Sequence, residues 1–395
     1  MGCVSPALTG FFDRMRTFTP AALLALVALT GRPDPASAQT AFPAPVGVRV
    51  PLEPSPVPAM GHTYLAYELH LSSLAPMDLG LSRIDVYLDD ATTPVASYRD
   101  TALASMRLDP SGKAKATGAL PAGGFDVVFV WLELGPGAAP KSLRNVVTVK
   151  AGPSEATVES RVNVRPAAEV PVFGPPLRGG PWVMAHGPAN PNGHRRSIVT
   201  VGGRAAVVQR YGVDYFKVDS AGHTFSGDSA KKEDYYGYGQ DVLAVADGVI
   251  AVASNEVPDN ETPSASKRAV PINLKTIGGN YVMLDIGKGR YVFYAHLKPN
   301  SIRVKQGDKV RRGQVIGSLG LSGNTPSPHL HLHLGDTTEP IGSEGLPYVY
   351  DAFDVVGECP APPVMWGWYQ RCTFTRPDAR RNELPLAWKL IRFPE

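Results

Sequence analysis

The sequence is short of net charge, of cysteine, of helical periodicity and of long apolar runs. The formal charge is only +3 over 395 residues, which gives no electrostatic case for a nucleic-acid partner. The one pronounced apolar run, residues 21–29 (AALLALVAL), is too short to span a bilayer. It follows Arg14 and Arg16 and precedes Ala36-Ser37-Ala38, an A-x-A cleavage site. Residues 1–38 therefore read as a signal peptide. The mature protein is expected to have no transmembrane anchor and to be exported, periplasmic or extracellular. Of the 3 cysteines, cleavage removes Cys3. Cys359 and Cys372 remain, and in an oxidising compartment so close a pair is expected to form a disulfide. Closing that short loop is worth roughly 3 kcal/mol. No histidine lies near either cysteine in sequence, which speaks against a cysteine metal site.

What is plentiful is turn chemistry. Gly (40) and Pro (38) are frequent and long 3.6-residue patterns are scarce, so the chain is expected to be mainly β. Residues 39–165 alternate apolar and polar positions in short stretches such as TYLAYELHL (63–71) and FDVVFVWLEL (125–134), separated by turns such as LPAGG. They predict a β-sandwich of immunoglobulin-like type. His62 and His70 lie on these strands and read as solvated. Residues 166–193 hold seven prolines and read as a Pro/Gly-rich linker. Residues 194–355 form a second set of strands with glycine turns. Two stretches, 228–239 and 254–274, read as loops flanking a cleft. Residues 356–395 carry the cysteine pair and three tryptophans, and are expected to pack as a cap.

The second half carries the chemistry. PHLHLH (328–333) places His329, His331 and His333 at alternate positions, hence on one face of a strand. Upstream lie RYGVD (210–214), VLAVADGVI (242–250), GGNYVMLD (278–285), YAHL (294–297) and VKQGDKVRRGQVIGSLGLSGN (304–324). In this order and spacing they resemble the lysostaphin-like (LytM-type) zinc metallopeptidases, which cleave peptide cross-links in bacterial cell walls. The resemblance covers about residues 194–355. It implies an antiparallel sheet with a groove, zinc as cofactor and peptidoglycan as substrate. It also implies Asp214 and His331 as metal ligands, with His296 and His329 flanking the reacting water or the oxyanion.

Zinc in a catalytic site takes three protein ligands and keeps one position open. The resemblance puts the first of the three at residue 210, where this chain has arginine. Arg210 stays protonated and offers no lone pair. Three readings stand at this point. Another histidine fills the gap: His333, the nearest by geometry though roughly 7 Å along the strand, His194 at the start of the domain, or His223, nine residues after Asp214; taken singly, the last two read as loop residues. Or no metal binds, Arg210 pairs with Asp214, and the domain is a metal-free module that binds peptidoglycan or regulates another cell-wall hydrolase. Or two ligands hold a weak metal with added waters. Asp247 reads as a turn residue, and Asn280 and Asn324 need no function beyond turns. A biotinyl or lipoyl carrier also contains runs like VKQGDKVRRGQVIG. It needs an exposed lysine in a tight turn between matched strands, which is missing here.

Overall fold

The computed structural model describes residues 44–108, 119–189, 193–264, 266–360 and 372–395. The expected signal peptide lies outside them. The described chain is mainly β, and its sheets are antiparallel apart from one short parallel pair.

Two five-stranded antiparallel sheets make up the N-terminal part. The strand His62–Ser73 shows why they close on each other. Leu65, Tyr67, Leu69 and Leu71 face inward, onto Val128, Val130 and Leu132 of the same sheet and Ile84, Val86 and Val147 of the other. The alternate residues Tyr64 and Ala66 point the other way and join the core of the second half. Glu68 follows on that outward face, one strand residue in two.

The second half is built on an 11-stranded sheet. Its centre runs Asn280–Asp285, Tyr291–Leu297, Leu330–Gly335, Val213–Lys217 and Trp182–His186, then Lys389–Arg392 and Phe353–Glu358. This sheet extends past residues 194–355 on both sides. Trp182–His186 lies in the stretch expected to be a linker, and Lys389–Arg392 in the stretch expected to be a cap. Both are strands because their apolar residues complete a sheet surface: Trp182 and Met184 enter the main core, and Leu390 packs with Val183 and Val356. Cys359 and Cys372 form a disulfide.

The expected vacancy at residue 210 has a structural counterpart. Arg210 is fully buried and donates to Glu68 through Nε (3.1 Å to each oxygen) and Nη2 (2.6 Å). It also donates to Glu344 (2.8 Å) and to the Gly345 carbonyl (2.7 Å). Arg195 bonds the same Glu68 carboxylate. Burial pushes the Glu68 carboxyl up, but Arg210 and Arg195 outweigh it and hold the group down to about 2. Stability from this group is therefore complete above its ordinary value of 4.5 and is lost as pH falls toward about 2. Glu68→Gln is expected to lower unfolding free energy at neutral pH by about 3–5 kcal/mol. It should also flatten the acid limb of stability against pH, measured by urea unfolding. An unchanged acid limb would contradict the assignment.

Candidate metal and catalytic centre

The register of the central strands builds the site. Ala185 pairs with Asp214, Asp214 with His331, and His331 with Ala295, so these four sit in one row across the sheet. Along the 330–335 strand, Leu330, Leu332 and Leu334 enter the main core. The alternate residues His329, His331 and His333 therefore share the opposite face, with Asp214. That face floors a groove of about 430 Å³, with His296, Phe216 and Arg268 among its lining residues. Arg268 comes from the 254–274 stretch and donates to Asn324 (3.0 Å), so that loop forms a groove wall. The other asparagine, Asn280, is buried and bonded to the Val257 and Leu297 backbone.

Alternation alone would turn His296 away from the groove, because its neighbour Ala295 is in the site row. The pairing of 280–285 with 291–297 shifts register there, a β-bulge, and His296 adopts φ 62°. A left-handed histidine is uncommon and costs backbone energy. Here it re-aims the ring toward the site, as bulges do, to 4.9 Å from the His329 ring. His186 ends its strand in the same way, at φ 65°.

Asp214 is the centre of the cluster. His331 Nδ1 lies 2.8 Å from its Oδ1 and His329 Nε2 3.4 Å from the same oxygen. Its Oδ2 has His186 Nε2 and His194 Nε2, each at 3.5 Å. His186 and His194 stack with ring centroids 4.1 Å apart. Gly193 (φ 60°) passes so close beneath that a Cβ there would come within 2.6 Å of His186 Nδ1. Three rings have fixed tautomers. Nδ1 of His194, His296 and His329 each faces a backbone carbonyl, of Gly212 (3.3 Å), Ser322 (2.9 Å) and Ser327 (2.9 Å). A carbonyl can only accept, so each Nδ1 carries a proton, and in the neutral ring Nε2 is the atom with the lone pair.

The electrostatics agree. Burial raises the Asp214 carboxyl, but the histidines around it, His194 and His329 first and then His331 through its hydrogen bond, hold it well below the usual carboxylate range. Burial, then the neighbouring imidazoles, holds His194 and His296 well below the ordinary histidine value. The result is one buried anion with imidazoles around it, of which His194 and His296 are kept neutral by burial.

His186, His194 and Asp214 fit a zinc ion. Ligand atoms about 2.0–2.1 Å from a tetrahedral ion are about 3.3–3.5 Å apart, and both Nε2–Oδ2 separations are 3.5 Å. The ligand atoms of His186, His194 and Asp214 all lie within 4.8 Å of one another. The buried Nδ1 of His186 has no hydrogen-bond partner among the described residues.

The sequence-derived candidates thus divide. Asp214, His331, His329 and His296 come together. His333 does not reach Asp214: its Nδ1 meets His331 Nε2 at 2.9 Å, on the side of that ring away from the carboxylate. Arg210 pairs with Glu68 and Glu344 and leaves Asp214 to the histidines. His223 sits with Asp219 (3.2 Å). His194, expected to be a loop residue, is in the cluster, and His186 was not singled out at all. Neither has a motif around it; the histidine count of a chain with 9 in all was the only available signal.

Residues 234–342 match the sequence model of Peptidase family M23. The chain carries an M23 peptidase domain. The match takes in His296, His329, His331 and His333, whereas His186, His194, Arg210 and Asp214 precede it. Among curated proteins, the chain is 46% identical over 56 residues to the peptidoglycan DD-endopeptidase ShyA of Vibrio cholerae, covering 14% of this chain and 13% of that one. It is 30% identical over 96 residues to the cell division protein DipM of Caulobacter vibrioides, 24% of this chain and 12% of that one. The chain therefore spans only a small part of these relatives' length. Among solved structures, the catalytic domain of lysostaphin from Staphylococcus simulans aligns at 21% identity and TM-score 0.24, over 42% of this chain and 88% of that chain. A TM-score this low carries no argument, and function rests on the residues themselves.

The M23 domain makes one prediction independent of any metal. His333→Phe leaves His331 Nε2 buried without its partner, which is expected to cost about 1–3 kcal/mol in chemical denaturation. The side-chain ¹⁵N resonances of His331 should move while those of His329 stay. Unmoved His331 resonances would contradict the His331–His333 contact.

Proposed function

We propose that the protein is an exported zinc metalloendopeptidase that hydrolyses peptide bonds of peptidoglycan. The observation that carries the reading is the buried Asp214 carboxylate with four histidines around it, two of them on each oxygen. Asp214, His194 and His331 would hold the ion. His194 is preferred to His186 as the third ligand because Gly212 fixes its tautomer, as outer partners of metal-bound histidines do. It takes the part that Arg210 cannot play. A zinc ion bound there would lower the pKa of a water and polarise the scissile carbonyl.

The other residues do the proton work. His329 Nε2, a lone pair at the groove floor, accepts a proton from the attacking water. The amide C–N bond breaks after water oxygen has added to the carbonyl carbon, and His329 returns the proton to the leaving amine. His296 stays neutral through burial, and its Nε2 orients the water. Tautomers set by Ser327 and Ser322 keep both rings ready for this.

The export and substrate parts of the reading have their own support. The leader-like residues 1–38 and the Cys359–Cys372 disulfide suit an oxidising compartment. No helix among the described residues is long and apolar enough to cross a membrane. The M23 match and the curated peptidoglycan endopeptidase favour a cell-wall substrate. The metal-free alternative, a module that binds peptidoglycan or regulates another hydrolase, starts from the missing lone pair at residue 210 and has Arg210 pair with Asp214. Arg210 instead spends its charge on Glu68 and Glu344.

Mature protein is expected to contain one zinc per chain by elemental analysis and to lyse purified peptidoglycan. Asp214→Ala and His194→Ala should lose both. His329→Ala should keep the zinc and lose about 10²–10⁴-fold in rate. Wild-type protein without stoichiometric zinc would overturn the enzyme reading in favour of the metal-free module.

A further inference from the structure

We propose that the N-terminal sheets are part of the metal site: Glu68 and the backbone beside it clamp Arg195 and thereby position the adjacent donor His194. This rests on the zinc reading above and assigns the N-terminal half a task in it.

The short 3-10 turn Gly193–Arg196 carries both residues. Successive side chains of such a turn leave about 120° apart, so His194 and Arg195 point in different directions. His194 meets Asp214. Arg195 is 2% exposed and enters the outward face of the N-terminal sheet. One end of its guanidinium pairs with Glu68; the other donates to the carbonyls of Tyr67 (3.1 Å) and Val130 (3.2 Å), on two neighbouring strands. Its guanidinium carbon lies 5.2 Å from the centre of the Phe129 ring. A planar fork with three fixed acceptors has little freedom left. Those acceptors stand on paired strands, a rigid support for a turn that is otherwise only a few residues long.

Glu68 also holds Arg210, four residues before Asp214. One carboxylate of the N-terminal half therefore ties down both the turn that carries His194 and the stretch that leads to Asp214. The M23 match begins only at residue 234, downstream of both. Of the site residues that precede it, His194 and Asp214 lie next to the arginines that Glu68 holds, whereas His186 stands on a strand of the large sheet. Arg195 is thus a positioning residue, acting through the backbone of its neighbour.

The test uses the whole mature chain. Arg195→Met leaves Glu68 paired with Arg210, and Arg195→Lys keeps the charge but not the fork. In metal-free protein, the His194 side-chain ¹⁵N resonances are expected to shift in Arg195→Met, with those of His296 and His329 unchanged. Zinc affinity by chelator competition should fall about 10–100-fold, as for other outer partners of metal ligands, with a smaller loss in Arg195→Lys. Should Arg195→Met fail to fold by circular dichroism, Arg195→Lys carries the same two readings. Unmoved His194 resonances together with zinc affinity within twofold of wild type would overturn the clamp. Wild-type protein that takes up no zinc would instead remove the metal reading, and the His194 resonances would still decide whether Arg195 sets that ring.

Discussion

A guanidinium neither gives up its proton nor offers a lone pair. Placed four residues before Asp214, Arg210 can serve the site only by leaving it. Burying it requires an anion, because an unpaired charge in a protein interior is strongly destabilising. Glu68 and Glu344 provide that anion, and Glu68 comes from the outward face of the N-terminal sheet. Once Glu68 is committed there, Arg195 can share it, and the turn bearing His194 is drawn against the same carboxylate. The commitment of Arg210 to Glu68 and the position of His194 beside Asp214 are then two ends of one arrangement.

The site itself follows from strand periodicity with two local exceptions. Leucines 330, 332 and 334 are buried in the main core, which forces histidines 329, 331 and 333 onto the other face. Register puts Asp214 directly across from His331. The exceptions are His186 and His296, whose positive φ values turn them out of the alternation and toward the groove. Strained backbone at both positions is consistent with a site that is paid for by the stability of the surrounding sheet.

Much of this was legible in the sequence. The β class, the His-x-His strand, Asp214, His296 and the cysteine pair could all be read from local pattern or from resemblance, because each is announced by its neighbours in the chain. The place of His194 beside Asp214 could not. His194 lies 20 residues before Asp214 in a Gly/Pro-rich stretch, and its neighbour Arg195 pairs with a strand residue 127 positions away in sequence. Such long-range pairing leaves no periodicity to read. His333 was favoured as a replacement because it shares a face with His331, yet i, i+2 spacing places it behind that ring rather than on Asp214. The strands Trp182–His186 and Lys389–Arg392 were hidden for a related reason. Prolines and short length mask them locally, and only the neighbouring strands make them part of a sheet.

The central claim is that a histidine upstream of the M23 match fills the coordination place left by Arg210. Anomalous diffraction at the zinc edge, on crystals of the zinc-loaded mature protein, tests it most directly. The account predicts a single strong peak about 2.0–2.2 Å from Asp214, His331 and His194. A peak whose nearest protein atoms omit both His194 and His186, or no peak in the groove, would contradict it.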